Sequence, residues 1–317
     1  MPVCSVIIPV YGLAEVTRQC LDTLLDAPPG TCDWEIIVVD DASRDATPAV
    51  LRRYGEAVRV VTHPENLGFS HACNDGAAVA AGRYLVFLNN DTLPLPGWLD
   101  ALVAHAEAHT EAAVVGSKLL YPNGTIQHAG MAIDADLEPQ HLYLGFPADH
   151  PAVNKARKVP MVTGACLLIA RATFEAANGF DTRFVNGYED VDLCLRIGQH
   201  GREVHYCPAS VLVHLESVSE GRTARDAPNH ALYSSRWKPT LSPSDMLFYM
   251  EDGLIRLDYR GTTPMTVRLS PELGVLDDSA RRPTADRLLA ARSRQVFELL
   301  KENIKLRIRM GSESRSA

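Results

Sequence analysis

Hydrophobic positions follow two rhythms over the first third of the chain. Short apolar, β-branched runs at residues 3–10, 35–39, 58–62, 84–88 and 113–116 read as buried strands. Between them, residues 13–26 carry Val16, Cys20 and Leu24 at helical spacing and stop at Pro28-Pro29-Gly30. Thr47-Pro48 reads as an N-cap followed by proline in the first turn of a helix to Tyr54, residues 70–81 are alanine-rich, and Pro96-Gly97 opens a helix to His109. This alternation predicts an α/β fold with a mainly parallel, twisted sheet covered by helices on both faces. Ligands of such sheets sit beyond the carboxyl ends of the strands, where the polar residues of this sequence also fall.

The middle of the chain is less regular. It holds a buried-looking segment at 162–170, a helix over 189–200, and strands around Val204 and Val211. Residues 220–245 read as a polar, proline-containing linker. Residues 246–250 and 254–259 then form the predicted arms of a hairpin turning at Asp252-Gly253, with 265–269 as a third strand. A final helix over 284–310 is expected to be basic and amphipathic. Residues 281–310 contain nine Lys/Arg and three Asp/Glu, and Val296, Leu300, Ile304 and Ile308 form an apolar stripe. Docking onto the rest of the chain, a homodimer contact, and an anionic membrane surface are the three partners such a helix suits.

Composition narrows the function classes. The 317 residues are 46% hydrophobic and 22% charged, enough for a sizeable core. The net charge of −8 argues against general nucleic-acid binding, which depends on phosphate neutralisation. Seven scattered cysteines without a C-x-x-C pair indicate neither a zinc cage nor a disulfide framework. The start lacks a charged secretory leader, and the longest apolar run, 159–170, is too short to span a bilayer. The expected location is cytoplasmic, with a peripheral position at the inner face of the membrane as the variant that the basic helix suggests.

Four constellations carry candidate chemistry, each with a structural alternative. Asp40-Asp41 ends a strand, where a carboxylate can accept from a base or ribose; Ser43 and Asp45 make a capping turn equally plausible. Asn89-Asn90-Asp91 ends another strand and offers oxygen donors to a hard cation, or an ordinary Asn/Asp turn. Glu189, Asp190 and Asp192 open a helix whose dipole favours them, and Asp192 can pair with Arg196; one of these acids can also act as a general base. His214 closes a strand, as a structural histidine or as a neutral imidazole ligand. The polar stretches Gln127-His128-Ala129-Gly130 and His141-Leu142-Tyr143 could contact a sugar, but solvated loops are the preferred reading.

The order of these elements is more specific than any one of them. Val6-Ile7-Ile8-Pro9-Val10-Tyr11, Ile37-Val38-Val39-Asp40-Asp41, Asn66-Leu67-Gly68-Phe69 with Asn74-Asp75-Gly76, Leu88-Asn89-Asn90-Asp91, Gly164-Ala165-Cys166, Glu189-Asp190-Val191-Asp192 and His214 follow in succession. This succession, over residues 3–218, resembles the family-2 glycosyltransferases of the GT-A fold, particularly the bacterial rhamnosyl- and galactofuranosyltransferase branch.

The resemblance implies a Rossmann-like mixed sheet and an inverting transfer from a nucleotide-diphosphate sugar (a UDP- or dTDP-sugar) to a hydroxyl. The acceptor would be a glycan, a lipid-linked or another hydroxyl compound, in cell-surface polysaccharide or related synthesis. Pro9, Tyr11, Asp40 and Asn66 would face the nucleotide, with Asn89 and Asn90 beside the donor. Asp91 and His214 would hold a divalent cation, Mn²⁺ or Mg²⁺. Asp190 would be the general base, with Glu189 beside it.

Asn89 departs from the family's D-x-D element, but it can still bind a sugar hydroxyl or offer a carbonyl oxygen to a metal. The same resemblance divides the chain into a nucleotide-sugar-binding half (1–118), an acceptor-binding and catalytic half (119–225), and a C-terminal linker, β-hairpin and helix (226–317). Two other functions compete: a non-catalytic nucleotide-sugar or carbohydrate-binding module, and a sugar nucleotidyltransferase. A redox Rossmann enzyme is disfavoured because no G-x-G-x-x-G follows the first strand.

Overall fold

The computed structural model describes residues 2–26, 30–215, 226–258 and 266–274. The basic helix expected over 284–310 lies outside the described residues, and so does any docking, homodimer or membrane contact through it. In chain order the elements are β1 (Cys4–Val10), α1 (Ala14–Asp26), β2 (Trp34–Asp40), α2 (Thr47–Leu51), β3 (Arg59–Thr62), α3 (Phe69–Val79), β4 (Tyr84–Leu88), β5 (Thr92–Pro94) and α4 (Trp98–Ala108). There follow β6 (Ala112–Leu120), β7 (Ile126–His128), β8 (Met131–Ile133), β9 (Pro139–His141), β10 (Arg157–Lys158), β11 (Cys166–Ala170), α5 (Arg171–Ala176), α6 (Glu189–Gln199) and β12 (Glu203–His214). The last are α7 (Asp226–Arg236), α8 (Asp245–Glu251), β13 (Ile255–Asp258) and β14 (Thr266–Leu269).

Two compact units emerge. One comprises Met1–Met131 with His141–Thr240, the other Ala132–Gln140 with Leu241–Ala317. The first unit holds a mixed sheet in the order β10-β12-β6-β11-β4-β1-β2-β3, with β5 added beside β12 and β7 beside β6. β3, β2, β1 and β4 run parallel, as do β6 and β12, whereas β11 runs antiparallel between β4 and β6. Val6, Ile8, Val38, Val86, Leu88, Leu168 and Val115 on the sheet pack with Leu21, Leu24, Leu99 and Leu102 of the helices into one core. Alternating apolar runs thus become strands buried on both faces, as a sheet flanked by helices requires.

Close packing of α3 onto the sheet depends on Gly76. A Cβ there would lie 2.5 Å from Ile7 Cγ2 and 3.1 Å from Val39 Cγ2. Alanine would gain up to ~1 kcal/mol in helix propensity but overpack a rigid sheet face at ~1–3 kcal/mol. Gly76→Ala is therefore expected to lower the midpoint of urea unfolding; a raised midpoint would show that α3 has room to move.

Two expectations from the pattern are corrected. Residues 226–236, within the stretch read as linker, form helix α7, with Asn229 and Tyr233 buried and Trp237 buried just beyond it. Asn229 holds both backbone groups of Val185, accepting from its N–H at 3.2 Å and donating to its carbonyl at 2.8 Å.

In the second unit, residues 246–250 are helix α8 rather than a strand, with Met246 and Tyr249 inward at a spacing of three. A five-residue apolar run does not declare its period. The hairpin is instead β13 with β14, registered Ile255 to Leu269. Ser244 anchors α8 to the Ile133 backbone through its N–H at 2.8 Å and its hydroxyl at 3.1 Å. No helix among the described residues is long and apolar enough to cross a membrane.

Candidate active site

Three clusters form at the carboxyl ends of the parallel strands. The first follows β1 and β2. Tyr11, Asp40, Ser43, Arg44, His63 and Asn66 are among the residues lining a cleft of about 910 Å³. The two acids at the end of β2 divide their work. Asp41 bonds His63 Nδ1 at 2.7 Å and accepts from the Leu67 and Gly68 N–H groups at 2.9 and 2.8 Å, shaping the loop that opens α3. Asp40 accepts from the Ser43 N–H at 3.0 Å and faces the cleft. Tyr11 is an exposed aromatic on the cleft wall. Pro9 lies one position before Val10 in β1, paired with Val39 and set back from the lining.

The second cluster follows β4. Its polypeptide turns into β5, which pairs antiparallel with the end of β12 so that Thr92 stands opposite His214. The pairing brings Asp91 Oδ1 to 3.0 Å from His214 Nε2 in a site where the two residues are only 8% and 6% exposed. Asn89 Nδ2 lies 3.5 Å from the same ring nitrogen. Asn90 points elsewhere: its Nδ2 donates to Thr17 Oγ1 of α1 at 2.9 Å.

Behind the histidine stands Gln127, whose Oε1 is 2.7 Å from His214 Nδ1 and whose Nε2 donates to the His214 carbonyl at 3.4 Å. The two contacts fix the amide, so His214 Nδ1 carries the hydrogen and Nε2 is turned toward the Asp91 carboxylate. A bare lone pair and a carboxylate oxygen 3.0 Å apart repel. A cation bound by both would remove that repulsion.

Gln127 and His128, expected in a solvated loop, are 4% and 0% exposed on β7. Burial, then the neighbouring His141 and His214, pushes His128 well below its ordinary pKa. The run Ile126-Gln127-His128 pairs with β6, a three-residue strand too short to announce itself by alternation.

The third cluster is the start of α6. Asn186, Gly187 and Tyr188 all have positive φ, at 58°, 138° and 68°. Three such residues in a row turn the chain sharply and point Glu189 and Asp190 from the first helical turn. Asn186 Oδ1 accepts from the Phe69 N–H at 3.0 Å, and Ser70 Oγ donates to the Phe184 carbonyl at 2.9 Å, which fastens this turn to α3.

Asp190 Oδ2 accepts from the Gly164 N–H at 2.7 Å, while Oδ1 accepts from Val191 at 2.8 Å. The next carbonyl, Ala165, accepts from the Asn89 N–H at 3.0 Å. Asp190 is therefore held one residue from the strand end that carries Asn89 and Asp91. Glu189 Oε2 accepts from the Gly187 N–H at 2.5 Å, bracing the turn. Asp192 is fully buried and bonds Arg196 Nε at 2.8 Å, Arg236 Nη1 at 2.5 Å and Trp237 Nε1 at 3.0 Å. Its role is to join α6 to α7.

Residues 5–176 match the model of Glycosyl transferase family 2. The O-antigen biosynthesis protein RfbC of Myxococcus xanthus is 31% identical over 256 residues, 78% of this chain and 20% of that protein. The chain thus spans a fifth of that relative's length. The N-acetylglucosaminyl-diphospho-decaprenol L-rhamnosyltransferase of Mycobacterium tuberculosis is 28% identical over 59% of this chain and 68% of its own length. A mannosyltransferase from Pyrobaculum calidifontis, solved with GDP-Man and Mn²⁺, superposes with a TM-score of 0.57 at 22% identity, covering 79% of this chain and 69% of that one. GalNAc-T7, solved with UDP, GalNAc and Mn²⁺, gives 0.58 at 16%, over 80% of this chain and 55% of that one. The chain has the GT-A fold, and it belongs to glycosyl transferase family 2.

Proposed function

We propose that the chain transfers a sugar from a nucleotide-diphosphate donor to an acceptor hydroxyl, with inversion at the anomeric carbon. The observation that carries this reading is the 3.0 Å approach of Asp91 to His214, with Asp190 tied to the neighbouring strand end through Gly164. The structural neighbours solved with UDP, GalNAc and Mn²⁺ and with GDP-Man and Mn²⁺ support a nucleotide-linked donor of this general class. A UDP- or dTDP-sugar is the donor proposed here, and a glycan, lipid-linked or other hydroxyl compound the acceptor.

The nucleoside belongs in the cleft of Tyr11, Asp40 and Asn66. Tyr11 offers a ring face to the base, and Asp40 offers acceptor oxygens to a ring N–H or a ribose hydroxyl. Pro9 stiffens the strand end below Tyr11. Asn89 faces the ribose or the donor phosphates, and Asn90 holds that turn through Thr17.

Asp91 and His214 would hold the divalent cation, Mn²⁺ or Mg²⁺. Oxygen and imidazole donors suit such ions, which complete their shells with phosphate oxygens and water. Bound there, the ion would act as a Lewis acid on the departing diphosphate. Gln127 orients His214 for that task. Gln127→Leu is expected to weaken Mn²⁺ binding about 10–100-fold while leaving the fold intact, as losing an orienting partner does at other metal sites. Electron paramagnetic resonance titration of free Mn²⁺ reads this directly; an unchanged isotherm would separate Gln127 from the cation.

Across the pocket, Asp190 takes the acceptor's proton as its oxygen attacks the anomeric carbon from the face opposite the diphosphate. Two N–H contacts set the orientation of its carboxylate before substrate arrives. Glu189 keeps the turn that presents Asp190. Thermal-shift screening of UDP- and dTDP-sugars, with and without Mn²⁺, tests the reading, since a ligand of the native state raises its melting temperature. A Mn²⁺-dependent rise with one donor is expected. No rise with any nucleotide sugar would overturn the proposal.

A further inference from the structure

A second group of metal-ligating side chains lies at the opposite end of β12. Glu203 opens this strand, and His214 closes it eleven residues later, roughly 30 Å away. At the Glu203 end, parallel pairing with β6 sets Glu203 opposite Ala112, and the Glu203 N–H donates to the Glu111 carbonyl at 3.1 Å. One ligand atom from each of Glu111, Glu203 and His205 lies within 4.8 Å of the others. His105 approaches from the last turn of α4 and His109 from the residue that caps it. His205 and His109 rings are 5.4 Å apart between centroids, and His109 Nδ1 lies 3.5 Å from Glu111 Oε1.

The geometry points to a second metal site, distinct from the Asp91–His214 pair, that takes a Zn²⁺-class transition-metal ion on His205, Glu203 and Glu111, with water as the fourth donor. Mixed imidazole and carboxylate donors suit Zn²⁺, Co²⁺ or Ni²⁺ better than Mg²⁺. The buried member, His205, is already oriented. Its Nε2 is 2.9 Å from Glu203 Oε2 and its Nδ1 is 3.0 Å from His105 Nε2. A neutral imidazole with its one hydrogen on Nδ1 keeps the Nε2 lone pair, 2.9 Å from Glu203 Oε2, for the ion. His205 Nδ1–H then donates to His105, the outer contact by which metal-bound imidazoles are commonly held.

The remaining adjustment is small and falls on an exposed side chain. Tetrahedral bonds of about 2.0–2.2 Å place ligand atoms ~3.4 Å apart, so the site closes by an inward movement of roughly 1 Å. Glu111 is exposed, so the movement is a rotation of its side chain away from His109. Lys158 Nζ holds the other Glu203 oxygen, Oε1, at 2.9 Å, which leaves Oε2 directed at His205.

The test is Zn²⁺ titration of the chelator-cleared protein against a chromophoric chelator, carried out in an Asp91→Ala/His214→Ala background that removes the other cation pair. One equivalent of Zn²⁺ is expected, with affinity at least about tenfold weaker in Glu111→Gln and in His205→Gln. Glu111→Gln alters an exposed side chain, so it decides the matter even if His205→Gln fails to fold. Co²⁺ substitution is expected to give the intense visible bands of a tetrahedral ion. Absence of a stoichiometric equivalent, or an affinity that Glu111→Gln leaves unchanged, overturns the site. Either result is independent of sugar transfer, because nothing in the assay requires donor or acceptor.

Discussion

Asp190→Asn is expected to lower kcat for sugar transfer by about 10²–10⁴-fold while leaving donor affinity within about twofold, the range a positioned general base supplies. Asparagine keeps the size of the side chain and can still accept from the Gly164 N–H, now at 2.7 Å from Asp190 Oδ2. What it cannot do is take a proton from an alcohol. The effect should therefore fall on kcat with the donor's Kd spared, measured by steady-state transfer and by direct donor titration. Transfer near the wild-type rate would remove Asp190 from the role, and a matching loss of donor binding would make it a donor ligand instead.

Two residues away, Asp192→Ala is expected to act on stability. Its carboxylate is fully buried and accepts from Arg196, Arg236 and Trp237. Removing one member of a buried ionic group costs about 3–5 kcal/mol, because the charges left behind have lost both water and partner. The two arginines retain some relief. Arg236 Nη2 also bonds Asp181 at 2.8 Å, and Arg196 Nη2 donates to the Gly179 carbonyl at 2.7 Å, so the lower end of that range is expected. Urea unfolding measures the loss; a change below about 1 kcal/mol would mean that α6 and α7 are joined by packing alone. Two acids on one helical turn would thus separate cleanly, one failing in chemistry and the other in folding.

The strands and helices of the first third were legible because each is long enough to show its period. β1 and α1 start one residue inside their expected limits, and β4 falls on Tyr84–Leu88 as expected. Thr47 is the first helical residue and not the cap; Asp45 Oδ1 accepts its N–H at 2.9 Å. Legibility failed where identity is set by distant partners. α7 looked like a linker because its buried residues, Asn229 and Tyr233, are polar or amphipathic and owe their burial to Val185 and the α6 turn. Strand expectations around Val204 and Val211 became one strand with a bulge, which the intervening Pro208 disguised.

The candidate site shows the same division. Asp91 and His214 are 123 positions apart, and β5–β12 pairing brings them together. The order of motifs along the chain named both as candidates, though not the strand pairing that joins them. Gln127 reads as a loop residue because nothing local distinguishes a buried strand glutamine from a solvated one. Asp41 and Asp192 show that a carboxylate beside a candidate ligand can be wholly engaged in holding the backbone that presents it.

Isothermal titration of UDP and dTDP into the wild-type protein, Asp91→Ala and His214→Ala, each with and without Mn²⁺, tests the central claim most directly. One nucleotide is expected to bind the wild type at least about tenfold more tightly when Mn²⁺ is present, a difference of ~1.4 kcal/mol, and both substitutions are expected to erase this gain. Nucleotide affinity indifferent to Mn²⁺, or a Mn²⁺ gain that survives both substitutions, would contradict it.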